Sequence, residues 1–280
     1  MTFEKFHNRV VIKAQLVAMT PIFVGAREDS FKPGTVKGSC VKDAYGRPYI
    51  PGSSLKGSLR AFLSSLPDEL INGNGNDKSV NSAIEGKLAK SKVEEKFGKK
   101  EDREKAVIEA KARNQEAYSA KEDGEILAEL IVADSTIVER LFGSKVMAGK
   151  VKIADATLVD DATSTEVRNG VAIDRDTRTA RDSALFDTEV VPTGTLFHFN
   201  VSAENLKPDE AELFGKLMEY FADGNITIGG RIRAGLGAVG LVDVRVTTYK
   251  TGDSGFPTKE TKNCGNHEIV EVIKNVCKAD

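Results

Sequence analysis

The 280-residue chain contains no tryptophan, three cysteines and three histidines. Cys40, Cys264 and Cys277 are too few and too scattered for a disulfide framework, which agrees with a reducing compartment. No apolar run approaches the length of a membrane helix, and the N-terminus MTFEKFHNRVV lacks a signal-peptide core. A cytoplasmic protein with no membrane partner is expected. His7, His198 and His267 fall in a strand lead-in, a strand and the tail, and no Ser/His/Asp set is legible. Nothing supplies an acid–base pair. Cys264, His267 and Cys277 form an unusual C-x2-H-x9-C spacing with no fourth ligand nearby, so neither a metal nor a cofactor is expected. The chain also lacks a strong net charge: −2, with pI near 6.1. That balance counts against a free-standing nucleic-acid binder.

What is present is ordinary for a globular protein, with 40% hydrophobic and 29% charged residues. The length suffices for one large domain or two small ones. Charge is unevenly placed. Arg27–Arg60 holds seven Lys/Arg against three Asp/Glu, while much of the acid lies in Glu85–Glu139 and near the C-terminus. A basic stripe on a mildly acidic body is compatible with that distribution.

The most informative stretch is Tyr49–Leu66, YIPGSSLKGSLRAFLSSL. Pro51-Gly52 breaks the preceding strand, and Ser53 or Ser54 is placed to cap a new helix. Leu55, Leu59, Phe62, Leu63 and Leu66 make its buried face. Lys56 and Arg60, four apart, leave the same side, which Gly52 and Gly57 keep free of bulk. Two hydroxyls, free amides and two cations suit a phosphate; an ordinary capped surface helix has the same pattern.

Along the chain, Arg9–Ala18 reads as a buried first strand and residues 19–48 as a long loop. Asn72–Asp77 is a break. Residues 78–123, rich in Lys, Glu and Ala, read as a solvated helical insertion or a mobile arm, with an RNA- or subunit-contacting arm as the functional alternative. A helix ends at Gly143, and Lys150–Val159 alternates as a strand. Residues 168–191 suggest a long hairpin carrying Arg168, Arg175, Arg178 and Arg181, with Leu185 and Phe186 able to wedge between bases. A plain hairpin with a solvated tip is the alternative. Thr195–Ala203 is a strand, Pro208–Asp223 a helix capped by Gly224, and Val239–Val246 a final strand. The order fits a split β-α-β unit, an α+β, ferredoxin-like fold with insertions. The organisation expected is a single domain over 1–280 with a charged insertion at 72–124, a hairpin at 160–194 and a tail at 250–280.

The second strong feature is Gly229–Gly240. Gly229, Gly230, Gly235 and Gly237 permit close backbone approach, with Arg231 and Arg233 among them at strand-like spacing. A phosphate chain over bare amides between two guanidiniums suits this set; tight hairpin packing is the alternative. Gly235-x-Gly237-x-x-Gly240 precedes a strand rather than a helix, so the dinucleotide-binding reading fails.

These two segments together resemble the paired signatures of the RAMP superfamily, the guide-RNA-binding proteins of CRISPR effector complexes. Leu141-Phe142-Gly143 followed by Gly149–Ala156 (GKVKIADA), Val41-Lys42-Asp43, and Arg168–Gly194 are similar to further blocks of type III backbone subunits. The resemblance runs from about Arg9 to Val246 and is closest to the repeated subunit of the Csm and Cmr complexes. It implies a ferredoxin-like palm and a hairpin thumb. It also implies stacking of copies along a guide RNA, pairing with target RNA, and other effector subunits in antiviral defence, including a separate nuclease. With that implied role, the residues read above as suited to phosphate or bases (Ser53, Ser54, Lys56, Arg60, the hairpin arginines, Phe186 and the glycine segment) are the expected RNA contacts. In cutting members of the family an aspartate precedes the V-x-K-D segment; that position falls at or beside Lys37 here. A lysine cannot hold a metal, so Lys37 is read as an RNA contact and this subunit as non-cutting. Cleavage through Asp29 is the alternative. A phosphate or nucleotide binder without a CRISPR role is a third reading.

Overall fold

The structure is a computed structural model that describes residues 5–25, 38–66, 92–118, 121–161, 163–173, 180–251 and 256–277. Its centre is an antiparallel sheet built on β1 (Asn8–Ala18). Alternate residues of β1 (Val10, Ile12, Ala14, Leu16 and Ala18) are buried, as the period of a strand requires when one face packs on helices. The sheet order is β2 (Val151–Ile153), β5 (Leu196–Glu204), β1, β6 (Val239–Thr251), β7 (Pro257–Asn263).

Two helices cover the buried face. They are α1 (Gly52–Ser64) between β1 and β2, and α7 (Pro208–Ala222) between β5 and β6. With the order β2-β5-β1-β6 this is the ferredoxin-like arrangement. In α1, Leu55, Leu59 and Leu63 are buried at spacing four, so one stripe meets the sheet. Each such leucine stabilises the packing by about 1.5–3 kcal/mol. Phe62 of α1 stacks on Tyr220 of α7 with centroids 5.0 Å apart. Phe197, Phe199, Phe214 and Phe221 fill the space between helices and sheet.

Between α1 and β2 lie α2 (Lys92–Phe97), α3 (Lys100–Arg113), a single turn α4 (Gln115–Tyr118), α5 (Asp123–Asp134) and α6 (Ile137–Phe142). The first four pack on each other through two small clusters, one around Val93, Phe97 and Ile131 and one around Val107, Ala110 and Ile126. Their weak apolar periodicity follows: α2, α3 and α5 bury only two side chains each, and α4 buries none of its described ones. Helix α6 has a Thr136/Glu139 capping box, and Gly143 follows it at φ 88°. A buried ion cluster joins α6, β2 and α7. Glu210, fully buried, accepts Lys150 Nζ at 2.5 Å and Arg140 Nε at 2.7 Å.

Three sequence expectations need correction. Of Lys150–Val159, only Val151–Ile153 joins the ladder; Ala156 and Leu158 make isolated bridges to Ile50 and Phe197. The segment beyond 250 is more than a tail. β7 extends the sheet, and α8 (Ile269–Asn275) packs Ile269 and Ile273 into the core. Ile269, Val270, Val272, Ile273 and Val276 recur at helical spacing, a pattern the reading of this stretch as a tail passed over. Arg231 and Arg233 do not sit in a strand: Ile232–Ala234 is a 3-10 turn entered through Arg231 at φ 55°.

Candidate nucleic-acid interface

Four segments meet at the end of the sheet where β1 finishes. The first is the start of α1. Backbone hydrogen bonds between Ile50 and Ala156, 2.9 and 2.8 Å, hold residues 49–50 against the chain leaving β2. That chain delivers Asp155, whose Oδ1 accepts the Gly52 N–H at 2.7 Å. Asp155 therefore caps α1, correcting the assignment to Ser53 or Ser54; both serines lie inside the first turn, Ser53 exposed and Ser54 half-buried. Gly52 is required by its own protein, since a Cβ there would lie 2.3 Å from the Ile153 carbonyl oxygen, whereas Gly57 faces open space. Lys56 and Arg60 are half-buried; neither forms a direct ion pair with a described residue, although the Glu94 carboxylate lies within electrostatic reach of Arg60. Burial, and then the charge of Arg60, push the Lys56 pKa down. Two cations pressed together on a partly desolvated surface favour an anion between them.

The second segment is the glycine turn. Gly229 (φ 78°) and Gly237 (φ 90°) approach the protein's own carbonyls: added Cβ atoms would stand 2.3 Å from Phe23 O and 2.1 Å from Ile228 O. The close approach inferred from sequence is thus internal at both positions. Gly230 donates its N–H to Phe23 O at 2.8 Å. Gly235 differs: φ is 82° and nothing lies within 4 Å. The tight base of the turn thereby presents exposed Arg231, Arg233 and Gly235 outward. Arg231 stacks over Phe23, 5.5 Å from the ring centroid.

The third and fourth segments are residues 38–42 and the base of a two-stranded hairpin, β3 (Glu166–Ile173) with β4 (Ala180–Val190). Gly38 O accepts the Glu189 N–H at 2.8 Å, and a Cβ on Gly38 would be 3.7 Å from Arg231 Nη2. The buried Glu189 carboxylate accepts the Cys40 N–H at 2.9 Å, the Lys42 ammonium and the Thr165 hydroxyl. Burial raises its pKa, but these donors outweigh that and hold the carboxyl below its ordinary range. Cys40 donates its thiol to Glu189 O at 3.0 Å, and burial pushes that thiol up to about 11, so it is no nucleophile. Arg168, opposite Thr188 in β3, is exposed.

Lys37, Asp29, Arg175 and Arg178 lie outside the described residues, as do the side chains of Arg181 and Phe186. Cys264 and Cys277 donate to Lys262 O at 3.6 Å and Leu206 O at 3.2 Å. Sequence reasoning missed Glu189 and Asp155 as organising groups. Asp155 sits within the quoted GKVKIADA block, but nothing in a strand-like run marks Glu189. It also missed Tyr45, 84% exposed on its turn and backed by Arg47 at 5.0 Å.

Residues 15–240 match the RAMP superfamily. The chain belongs to this superfamily. Curated relatives are more distantly matched. A CRISPR system Cms endoribonuclease Csm3 from Methanothermobacter thermautotrophicus is 33% identical over 70 residues, covering 25% of this chain and 29% of that protein. The protein of the same name from Methanocaldococcus jannaschii is 36% identical over 56 residues, 20% of this chain and 23% of its own length. The matched segments thus span less than a third of either relative. Within the RAMP chain, α1 and the glycine turn are the two places where the sequence signatures and the convergence of cations coincide.

Proposed function

We propose that this RAMP protein is the RNA-binding backbone subunit of a type III CRISPR effector complex, polymerising along a guide RNA and presenting it for pairing with target RNA. One observation carries the reading: a single end of the palm gathers Lys56, Arg231, Arg233 and the base of an Arg-bearing hairpin around a backbone that other glycines have already packed tight. Lys56 and Arg60 take phosphates, the glycine turn takes the adjoining backbone through Arg231 and Arg233, and the hairpin enters the paired strands. Single-domain organisation, with the insertion at 72–124 and the hairpin at 160–194 as its accessory parts, belongs to the same reading. So do RNA contact by Lys37, Ser53 and Ser54, a cytoplasmic location, and assembly with a separate nuclease. Copurification with a discrete small RNA, lost in the Lys56→Ala/Arg60→Ala double variant, tests the reading.

The relatives' name, endoribonuclease, favours a second reading in which Asp29 supports cleavage of target RNA. A metal-assisted attack on phosphate needs a carboxylate to place the cation, and the ammonium of Lys37 opposes that role. The assembled subunit is therefore expected to hold a labelled complementary RNA intact in Mg²⁺ or Mn²⁺. Cuts at regular intervals that vanish in Asp29→Ala would replace the first reading by the second.

A further inference from the structure

The sheet has a second face. Opposite the helix-covered side, β1 presents Arg9, Val11, Lys13, Gln15 and Val17, all exposed or half-exposed. The register places Lys13 directly between Asn200 of β5 and Arg245 of β6, and Arg245 directly beside Asn263 of β7. The result is one row across four strands: Asn200, Lys13, Arg245, Asn263. Like charges directly opposed in a sheet destabilise it, and neither cation forms an ion pair with a described residue; Arg245 Nε only donates to Asn263 Oδ1 at 3.2 Å. Among the described residues of this face, Arg9, Lys13, Lys152, Arg245 and Lys259 stand against Glu204 and Asp243, five positive groups to two negative on a chain whose net charge is −2. Glu204 is already satisfied by Arg9 and Lys152, at 3.5 and 3.0 Å.

Beside the row, β6 bulges. Asp243 and Val244 together oppose Ala14, Asp243 takes φ 55°, and the strand bends to leave a cleft of about 900 Å³ bordered by Lys13, Gln15, Val242, Arg245 and Asn266. Two side chains with π faces share this side of the sheet: half-buried Tyr249, opposite Arg9, and exposed His198, opposite Gln15.

We infer that this open sheet face binds single-stranded nucleic acid, with Lys13 and Arg245 holding consecutive phosphates and Tyr249 stacking a base. A strand of RNA matches each part of the face: cations for phosphate, amides for base edges and a ring for a base plane. An acidic protein helix would need an apolar stripe, and Val11, Val17 and Val242 do not make one. The site lies on the opposite face of the sheet from α1, so it is independent of the guide-RNA reading.

Ultraviolet crosslinking of the purified protein to a uridine-rich 20-mer RNA, with crosslinked peptides mapped by mass spectrometry, tests it. The expected result is a crosslink at Tyr249 that persists in Lys56→Ala/Arg60→Ala and is lost in Lys13→Ala/Arg245→Ala. With single strands each phosphate contact is worth about 0.7 in the salt slope, so the Lys13/Arg245 pair should remove about 1.4 from the binding to this face. Tyr249→Leu should weaken it roughly five- to 100-fold without changing that slope. A Tyr249 crosslink that survives in Lys13→Ala/Arg245→Ala, or none in the wild type, overturns the inference. So does competition by poly-glutamate in place of RNA, which would assign the face to an acidic protein. Loss of crosslinks in Lys56→Ala/Arg60→Ala alone would place all RNA at the α1 end and also overturn it.

Discussion

Glu189 should be the residue whose loss most directly separates hairpin from palm. Its carboxylate joins two other pieces of chain to β4: the Cys40 N–H and the Lys42 ammonium from one, and the Thr165 hydroxyl from the other, all donate to it. In Glu189→Ala the Cys40 N–H is left buried with no acceptor, which costs about 1–3 kcal/mol. Lys42 is 36% exposed and can rehydrate, so losing its pair adds only about 0.2–1 kcal/mol. Thr165 is half-buried and adds little. The sum is roughly 2–4 kcal/mol, which at about 2–4 °C per kcal/mol for a large domain lowers Tm by about 5–10 °C. Glu189→Gln keeps an acceptor for Cys40 and loses mainly the ion pair, so its Tm should fall by no more than about 3 °C. Thermal unfolding followed by circular dichroism measures both. Hydrogen exchange at the Cys40 amide adds a local reading: exchange should accelerate in the Ala variant and stay slow in the Gln variant. Equal Tm values for wild type and Glu189→Ala, with Cys40 still protected, would refute the assignment of this carboxylate as the joint.

Lys56→Ala with Arg60→Ala should weaken RNA binding and reduce the salt slope by about 1.4, measured by fluorescence anisotropy between low and high salt. Gly235→Val should lose about 1–2 kcal/mol from its φ of 82° although no atom obstructs the side chain, while Gly235→Asn should stay near wild type in a denaturant titration; for RNA binding, Gly235→Val should cost more than Arg231→Ala. Burial pushes the Glu210 carboxyl up, but Lys150, the Lys207 N–H and Arg140 bring it below the ordinary 4.5. A depressed folded pKa means stability that is full above the unfolded value and lost as pH falls through the folded one. Acid titration of Tm should therefore show a decline below about pH 4.5 that is shallower in Glu210→Gln, whose Tm at neutral pH is already lower.

The order of the palm was legible because its elements carry strong periods. β1 alternates over eleven residues, and α1 repeats leucine at spacing four. The glycine turn was legible as a place and misread as a shape. Composition marks Gly229 and Gly237 as unusual but cannot say whether the atom that approaches belongs to a ligand or to Phe23 and Ile228. Capping of α1 failed for a related reason. A serine in the first turn is a local cap by default, and the winning acceptor, Asp155, is about a hundred residues away. The C-terminal strand was missed since β7 is exposed at every position and has no hydrophobic alternation to read, whereas α8 does carry an apolar period, with Ile269 and Ile273 buried four apart.

The mildly acidic charge is the feature least like a nucleic-acid binder, and the structure resolves it by location. Residues 92–134 hold twelve Asp/Glu against nine Lys/Arg, and their helices pack on one another rather than on the sheet. The palm, by contrast, carries Lys56 and Arg60 on α1, Arg231 and Arg233 on the glycine turn and Arg168 on the hairpin, all exposed or half-buried. For a subunit that works in a row along one strand this division is favourable. A few phosphate contacts per copy give weak binding alone, so an isolated subunit has little hold on unrelated RNA. Neighbouring copies then raise the effective concentration of the next contact, and affinity accumulates only where several subunits sit side by side. A strongly basic chain would bind every RNA it met, one copy at a time. The acidic helices thus lower non-specific attraction, and one of their carboxylates, Glu94, lies within electrostatic reach of Arg60.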